Sequence, residues 1–335
     1  MGFPLALFLC TLGCFSASTA IAGISGILEL HFYKTSCPDA EMIVREHVTR
    51  SMLTDPSSAA PLLRLAFHDC QVDVLSLSLS LGGCDGSILL KESSNSLEIE
   101  AQSQKNFGIR KLDIMNNIKS SLEEVCPQTV SCADIIQLAA RDAINLHLQA
   151  GGPFIKVLTG RRDSISASKK RAENQLPASN ISVNEFAKIF HEKNINLQEG
   201  VALIGAHTLG IGHCRNFEER LRPVSDPTLS PTFSLQLQTV CSDPSLADVA
   251  FAQNDATAFI FDNHYFIDIQ NGRGLLKIDS EIATDPRTMP HVIAFGKDMQ
   301  QFFHMFTSGF LKLSSHKVLV GEEGEIRRDC SFKNS

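Results

Sequence analysis

The sequence lacks an excess of basic residues. Its 335 residues include 30 Lys and Arg against 37 Asp and Glu, which gives a formal net charge of −7. A protein that binds a phosphate backbone needs an excess of positive charge, so nucleic acid is excluded as a partner. The hydrophobic content of 43% excludes a disordered chain and is enough for a substantial core.

A long apolar run is also missing, apart from the first 22 residues. That segment is apolar, then rich in small residues, and ends in Ala20-Ile21-Ala22, the spacing at which signal peptides are cleaved. No Lys or Arg precedes the apolar core of this segment, which differs from an ordinary signal peptide. The apolar core is nevertheless too short to span a bilayer comfortably. We therefore predict a signal peptide over 1–22, a secreted domain over 23–335 and no membrane association.

The cysteines lack the Cys-x-x-Cys spacing of a zinc finger, which disfavours zinc even though His and Cys are neighbours in two places. Of the ten cysteines, Cys10 and Cys14 lie in the predicted signal. An even set of eight in an oxidising compartment predicts four disulfides, but the residues alone leave about a hundred pairings open. The eight are Cys37, Cys70, Cys84, Cys126, Cys132, Cys214, Cys241 and Cys330.

Strand-like alternation is scarce, whereas apolar residues at helical spacing are common. Pro and Gly separate these runs and place short loops between them. The sequence thus predicts a mainly α protein of about ten helices, without internal repeats. The clearest helical runs cover 40–53, 60–70, 112–125, 133–148, 183–195 and 291–313.

The predicted helix 60–70 carries Arg64 and His68 four residues apart and therefore on one face, with Phe67 beside them. The ordinary interpretation of such a pair is a surface arginine near a core-edge histidine. Here apolar residues surround both polar groups, so each needs a partner or a cavity. A buried imidazole can move a proton, and a guanidinium can stabilise negative charge that develops on an oxygen.

A second histidine, His207, lies in the apolar segment VALIGAHTLGIGHC, whose glycines let the backbone approach a flat, bulky group. A lone histidine in such a setting is more often structural. Further along, Asp279 lies between apolar residues, where a buried carboxylate needs a hydrogen-bond donor or a positive partner. A carboxylate bound to the far nitrogen of a metal-ligating histidine fixes its tautomer and makes it a more basic ligand.

Eight ordered segments make the sequence resemble the plant secretory haem peroxidases, the class III family, over almost the whole of 23–335. They are YKTSCP (33–38), RLAFHDC (64–70), GCDGSILL (83–90), VSCADIIQLAARDA (130–143), LTGRRDS (158–164), LIGAHTLGIGHC (203–214), FDNHYF (261–266) and GEIRRDC (324–330). The resemblance implies an all-helical fold in which two halves of one globular unit hold haem b between them. It also implies a secreted monomer that reduces hydrogen peroxide and oxidises small phenolic donors in one-electron steps.

Under this resemblance, His207 is the proximal iron ligand and Asp279 its carboxylate partner. His68 is the distal base, Arg64 the distal arginine, and Phe67 lines the pocket. The implied disulfides are Cys37–Cys126, Cys70–Cys84, Cys132–Cys330 and Cys214–Cys241.

The resemblance further implies two structural calcium ions, one on each side of the haem. The distal ion would take oxygens from Asp69, Val72, Gly83, Asp85 and Ser87, and the proximal ion from Thr208, Asn254, Thr257, Ile260 and Asp262. Pro177, in QLPAS, is implied at the haem edge, where it helps to position the aromatic donor.

Two departures from the family pattern concern residues that support the site. Direct counting puts Ile99 and Lys105 at the positions of the Glu and Asn behind the distal histidine, whereas a one-residue shift selects Glu100 and Asn106. We prefer the shifted alignment. Asn254 stands where the family has Asp, so we expect a weaker proximal calcium site.

The largest departure is an insert, VLSLSLSLG (74–82), which lengthens the segment between Cys70 and Cys84 to thirteen residues, against four in the family. Its alternation is compatible with a short exposed strand. Our hypothesis is instead a retained piece of intron, because a CTCTCT tract encodes Leu-Ser repeats. The insert falls inside the distal calcium loop, so deleting it is predicted to raise calcium retention and turnover.

The leading hypothesis is an active secreted peroxidase, because Arg64, His68, His207 and Asp279 are all present. The alternative is a catalytically weak or inert secreted haem-binding protein with a disrupted distal calcium loop. An intracellular ascorbate peroxidase is disfavoured by the signal and by the disulfide cysteines. Asn180-Ile181-Ser182 is the only N-x-S/T sequon and is an expected glycosylation site.

Overall fold

The structure is a computed structural model that describes residues 27–73, 83–91, 99–146 and 152–334. The predicted signal peptide (1–22) and the insert (74–82) lie outside the described residues. Twelve α-helices, together with short 3₁₀ turns, account for most of the described chain, and its four strands are only two or three residues long. The predicted mainly α fold is therefore confirmed.

The helices are numbered in chain order. They are α1 (Ala40–Thr54), α2 (Ala59–Gln71), α3 (Leu112–Val125), α4 (Cys132–Asn145), α5 (Lys169–Gln175), α6 (Val183–Glu192), α7 (Leu197–Ile204), α8 (Pro231–Val240), α9 (His264–Gln270), α10 (Lys277–Thr284), α11 (Met289–Lys297) and α12 (Met299–Ser314). Two antiparallel strand pairs complete the set, β1 (Glu29–Leu30) with β2 (Leu158–Thr159) and β3 (Ile211–His213) with β4 (Phe251–Gln253).

One predicted helical run is two helices. The run 291–313 breaks at Asp298, between α11 and α12. The Asp298 side chain accepts hydrogen bonds from the backbone N–H groups of Gln300 and Gln301 at 2.9 and 3.0 Å. An aspartate that caps the next helix in this way leaves the helical conformation itself, which apolar periodicity alone does not reveal.

One large hydrophobic core joins most of the helices. Its first part lies where α2 and α1 pack against α4, and its second where α11 packs against α7, α9 and α12 and where α12 packs against α7. The second part contains a continuous set of phenylalanine contacts, with ring centroids 4.8 to 6.1 Å apart. Each fully buried phenylalanine contributes about 1.5–3 kcal/mol. This packing holds α7 and α9 in place, and both carry or precede residues of the site.

Buried polar groups and disulfides join distant parts of the chain. Asp163 accepts hydrogen bonds from Cys132 N, Ala133 N and Arg327 N, which ties the start of α4 to the C-terminal segment. The structure forms the four implied disulfides, Cys37–Cys126, Cys70–Cys84, Cys132–Cys330 and Cys214–Cys241. Among the described helices, none is both long and apolar enough to cross a membrane.

Candidate active site

The distal part of the site lies on α2, whose apolar residues Leu62, Leu65 and Ala66 face the core. On its other side, Arg64 Nε donates a hydrogen bond to His68 Nε2 at 3.1 Å. Because a guanidinium can only donate, Nε2 is the acceptor, and the ring proton of a neutral His68 is therefore on Nδ1.

The shifted alignment of the distal support is the one that the structure adopts. His68 Nδ1 lies 2.7 Å from Asn106 Oδ1, and Asn106 Nδ2 donates to the backbone oxygen of Glu100 at 2.8 Å. The second bond fixes which way the amide points, so its oxygen faces the histidine. Ile99 and Lys105, the residues given by direct counting, do not take these places.

Burial controls the charges of the distal pair. It lowers the pKa of His68 to about 3, with a further contribution from the positive charge of Arg64. Burial also lowers the pKa of Arg64, to about 10, so this side chain stays protonated at neutral pH. The guanidinium donates to the carbonyl oxygens of Phe107 and Lys105 at 2.9 and 3.2 Å. The site thus places a neutral proton acceptor beside a fixed positive charge.

Two further predicted residues lie near this pair. Phe67 is half-buried, with its ring centroid 5.9 Å from that of His68. Pro177 follows α5 and is also half-buried. The preceding carbonyl, of Leu176, accepts a hydrogen bond from Lys105 Nζ, and the Lys105 carbonyl in turn accepts one from Arg64. Pro177 is therefore linked to the distal arginine through Lys105.

The proximal part of the site begins at His207, in a 3₁₀ turn (Gly205–Thr208) that continues α7. Its Nδ1 lies 2.9 Å from Asp279 Oδ1, in the first turn of α10. Burial alone would raise the pKa of Asp279, but His207 and the hydrogen-bond donors around it hold that pKa below its usual value. An ionised carboxylate accepts only, so Nδ1 of His207 is the donor and Nε2 is free to bind a metal.

Two supporting residues were missed by the sequence analysis. Tyr265 Oη donates to Asp279 Oδ1 at 2.8 Å; the residue lies inside the motif FDNHYF, but nothing in the motif distinguishes this tyrosine. Arg220 is 4% exposed and donates to the carbonyls of residues 274–276 at 2.7 to 2.8 Å and to Ser280 Oγ at 2.6 Å. These hydrogen bonds from Arg220 hold the loop that precedes Asp279 in place.

The predicted distal calcium site contains buried oxygens that lack partners. Asp69 Oδ1, Asp85 Oδ2 and Glu100 Oε1 have no hydrogen-bond partner among the described residues. Burial raises the pKa of all three carboxyls, that of Asp85 to about 6. Ser87 Oγ donates to the other oxygen of Glu100 at 2.9 Å. Unpaired buried carboxylates call for a cation, so these residues fit calcium.

The two ends of the distal loop meet even though the insert separates them in sequence. Cys84 N donates to Asp69 O at 2.9 Å. A Cβ on Gly83 would lie 2.8 Å from the carbonyl oxygen of Val72, so only glycine allows this approach. The predicted carbonyl ligands, Val72 and Gly83, are thus close to each other beside Asp69.

The predicted proximal calcium residues also converge. Thr208 Oγ1 lies 3.2 Å from Asp262 Oδ1 and 3.5 Å from the carbonyl oxygen of Ile260. Thr257 Oγ1 lies 3.0 Å from the same Asp262 oxygen. These hydroxyl, carboxylate and carbonyl oxygens are the donor types that calcium prefers.

One predicted member of this set is wrong. Asn254 turns away, and its Nδ2 donates to Leu209 O at 2.8 Å. Asp255 takes its place, with Oδ2 2.6 Å from Thr208 Oγ1 and Oδ1 3.2 Å from Thr257 Oγ1. The expected loss of a carboxylate therefore does not occur. A one-residue deletion before Thr257 would have selected Asp255 from the sequence, as the shift selected Asn106.

No group of three or more His, Cys, Asp or Glu side chains forms a metal centre within the described ranges. The two calcium candidates instead combine a few carboxylates with hydroxyl and carbonyl oxygens, which suits a hard cation. His207 fits haem iron for a different reason, because a histidine with its far nitrogen on a carboxylate is the donor expected of a proximal ligand.

Comparison with known proteins identifies the family of the chain. The pattern of the family described as Peroxidase matches residues 44–298. Peroxidase 29 of Arabidopsis thaliana is 45% identical over 310 residues, covering 90% of this chain and 88% of the relative. Peroxidase 21 of the same plant is 39% identical over 333 residues, covering 97% and 98%. Peroxidase 63 is 35% identical over 323 residues, covering 96% and 95%.

The chain therefore belongs to the peroxidase family and is a peroxidase. Within that family it is a member of the plant secretory class, class III.

Proposed function

We propose that this protein is a secreted haem b peroxidase that reduces hydrogen peroxide and oxidises small phenolic donors, such as cell-wall phenolics. The observation that carries the proposal is the distal hydrogen-bond set, in which Asn106 holds the Nδ1 proton of His68 while Nε2 stays a proton acceptor beside Arg64. This arrangement suits proton transfer within a bound peroxide. It supports an active enzyme over the inert haem-binding alternative.

His207 would hold the haem iron through Nε2, with Asp279 behind it. When bound, haem supplies the electrons that reduce peroxide and later recovers them one at a time from the donor. His68 Nε2 takes the proton from the near oxygen of peroxide and delivers it to the leaving oxygen, which departs as water. Arg64 stabilises the negative charge on that leaving oxygen.

Two calcium ions belong to the same proposal. Asp69, Val72, Gly83, Asp85 and Ser87 would hold the distal ion, and Thr208, Asp255, Thr257, Ile260 and Asp262 the proximal one. The proximal set includes Thr208, the residue that follows His207, so an ion there would steady the iron ligand. On the distal side, Ser87 binds Glu100, whose carbonyl orients Asn106, so an ion there would steady His68.

The remaining features of the proposal concern processing and donor binding. A signal over 1–22, secretion to the cell wall, glycosylation at Asn180 and a monomeric state are all properties that the class leads us to expect. Asn180 is exposed, which a glycan requires. Pro177 would lie at the edge of the haem, and the link through Lys105 to Arg64 supports a position beside the distal pocket.

An absorption experiment tests the proposed function. The chain is refolded with haem and calcium, one equivalent of hydrogen peroxide is added, and a phenol follows. We expect a haem Soret band that changes on adding peroxide and returns after two equivalents of the phenol. Free haem at the same concentration serves as the control. A refolded chain that binds haem but reacts with peroxide no faster than free haem would overturn the proposal.

A further inference from the structure

The only two tyrosines of the sequence are used in the same way. Both are buried, and each donates its hydroxyl to a buried aspartate: Tyr33 to Asp134 Oδ2 at 2.6 Å, and Tyr265 to Asp279 Oδ1 at 2.8 Å. Asp134 pairs with Arg161, remote from both site histidines in the hydrogen-bond network. Asp279, in contrast, is the partner of His207. Only one tyrosine can therefore influence the proximal histidine through its aspartate.

Tyr265 and His207 share one oxygen atom. Asp279 Oδ1 accepts from Tyr265 Oη at 2.8 Å and from His207 Nδ1 at 2.9 Å, while Oδ2 accepts from Leu276 N at 2.8 Å. The Tyr265 and His207 rings meet edge to face, with centroids 5.8 Å apart and an interplanar angle of 87°. Two donors on one carboxylate oxygen divide its negative charge, so a stronger bond to one weakens the bond to the other.

Burial supports this division. Tyr265 is 1% exposed and Asp279 is 2% exposed, so Asp279 Oδ1 is shared between two protein donors rather than with solvent.

We propose that Tyr265 is a positioning residue that limits how strongly Asp279 attracts the Nδ1 proton of His207, and so limits electron donation from His207 to haem iron. The inference rests on the proposed function and deepens it, because it names a residue that does not touch iron but affects the reduction potential of iron through Asp279 and His207. Hydrogen bonding to a ligating histidine sets its basicity, and axial-ligand basicity is one of the factors that set the reduction potential of iron.

The sign of the effect separates tuning from simple structural support. In Tyr265→Phe, Asp279 Oδ1 would accept a hydrogen bond from His207 alone, the histidine would donate more electron density to iron, and ferric iron would be stabilised. The reduction potential would then become more negative. If Tyr265 only held Asp279 in place, its removal would loosen the bond to His207 and move the potential in the opposite direction. Asp279→Asn removes the negative charge and should make the reduction potential more positive, which shows the direction expected when the bond to His207 is weakened.

The experiment measures the ferric/ferrous reduction potential of the haem-loaded full chain in four proteins: unaltered, Tyr265→Phe, Asp279→Asn and Tyr33→Phe. We expect Tyr265→Phe to lower the equilibrium constant for reduction by about threefold to tenfold, a part of what a hydrogen bond to a charged group contributes. Asp279→Asn should raise that constant. Tyr33→Phe loses a comparable bond to a buried aspartate and should leave it unchanged.

A vibrational measurement gives a second readout that does not depend on activity. The iron–histidine stretching frequency of the ferrous protein should rise in Tyr265→Phe and fall in Asp279→Asn. An unchanged or more positive potential in Tyr265→Phe would overturn the inference, as would a shift of equal size in Tyr33→Phe.

If Tyr265→Phe does not fold, the same test is made with 3-fluorotyrosine at position 265. In a Tyr33→Phe background, the label enters position 265 alone, because no other tyrosine remains. A fluorinated phenol is a stronger donor, so it should draw more charge from Asp279 and raise the potential; a fall or no change would contradict the inference. An unaltered chain that binds no haem would overturn the proposed function, whereas a wrong sign in a haem-loaded variant would overturn only the role of Tyr265.

Discussion

The two site histidines differ chiefly in what holds Nδ1. His68 points this nitrogen at the neutral amide oxygen of Asn106, and His207 points it at the carboxylate of Asp279. An amide accepts a hydrogen bond but does not compete for the proton, so His68 stays a neutral imidazole with Nε2 as a base. A carboxylate attracts the proton and makes the ring a stronger electron donor. The partner of the far nitrogen thus separates a proton carrier from an iron ligand.

The surroundings of the two rings reinforce this difference. His68 is 9% exposed and has Arg64 against Nε2, so both burial and a like charge disfavour its protonated form. The His207 side chain is 34% exposed, and the donors near it act on Asp279 rather than on the ring. The distal side is built to keep the ring neutral, and the proximal side to steady a negative charge behind it.

The largest effect is expected from removing the proximal ligand. His207→Ala should abolish stable haem binding, because His207 supplies the protein's bond to iron in the proposed function. The measurement is the Soret absorbance after gel filtration, and added imidazole should restore part of it by filling the space. His47→Ala, where α1 faces Ser121 of α3, serves as the control. A normal Soret band and normal turnover in His207→Ala would show that another residue binds iron.

Replacing the distal base should affect the reaction but not the binding of haem. His68→Leu should keep its Soret band and react with peroxide at least ~10²-fold more slowly, because it loses both the proton acceptor and the proton donor. Stopped-flow measurement of the spectral change after mixing with peroxide gives the rate. A rate equal to that of the unaltered protein would remove His68 from the proposed chemistry.

Much of this comparison could be predicted from the sequence. Arg64, His68, His207 and Asp279 lie in segments of family-like spacing, and the apolar residues around them indicate burial. Single-residue shifts limit the prediction of supporting residues. Counting between motifs leaves both Lys105 and Asn106 open and selects Asn254 instead of Asp255, because it cannot locate a one-residue insertion or deletion inside a loop.

Other features depend on contacts between distant segments. Tyr265 and His207 both donate to Asp279 Oδ1, although the two residues lie 58 positions apart in the sequence. Arg220 reaches the carbonyls of residues 274–276. Neither residue differs in local pattern from an ordinary buried side chain, so only the folded structure shows what it touches.

Exchanging the Nδ1 partner tests the comparison directly. Asn106→Asp would give His68 the partner that His207 has, and a carboxylate favours the protonated ring. In the unaltered protein the pKa of His68 is about 3, so Nε2 accepts protons throughout the range above that value. The peroxide reaction should therefore keep its rate as pH falls from 7 to about 4. In Asn106→Asp the loss of rate on acidification should begin at a higher pH.

The pH dependence is measured by stopped flow on both haem-loaded proteins in buffers from pH 4 to 8, over the range in which the Soret band stays constant. We expect the rate of Asn106→Asp at pH 6 to fall severalfold below that of the unaltered protein. Asn106→Leu is the matched control, since it removes the same hydrogen bond without adding charge. Coincident profiles for Asn106→Asp and the unaltered protein would mean that the partner of Nδ1 does not set the distal charge.

The smallest effect is expected from deleting the insert. Removal of 74–82 leaves four residues between Cys70 and Cys84, the spacing of the family. The change in closure entropy is only roughly 1 kcal/mol by the logarithmic rule. Cys84 N already bonds Asp69 O, and His68 already has its partners in the full chain. The deletion should therefore raise calcium retention and turnover modestly, by holding Val72 and Gly83 more firmly at the distal ion.

Calcium per chain after dialysis against a chelator, together with the peroxidase rate, provides the measurement. A second variant, in which a Gly-Ser segment of equal length replaces 74–82, separates the effect of length from that of the Leu-Ser sequence. If the length disturbs the site, the deletion should gain calcium and the replacement should not. If the deletion retains no more calcium and turns over no faster than the full chain, the insert is a tolerated addition. The distal histidine would then depend on Asn106 and Arg64 rather than on the calcium loop.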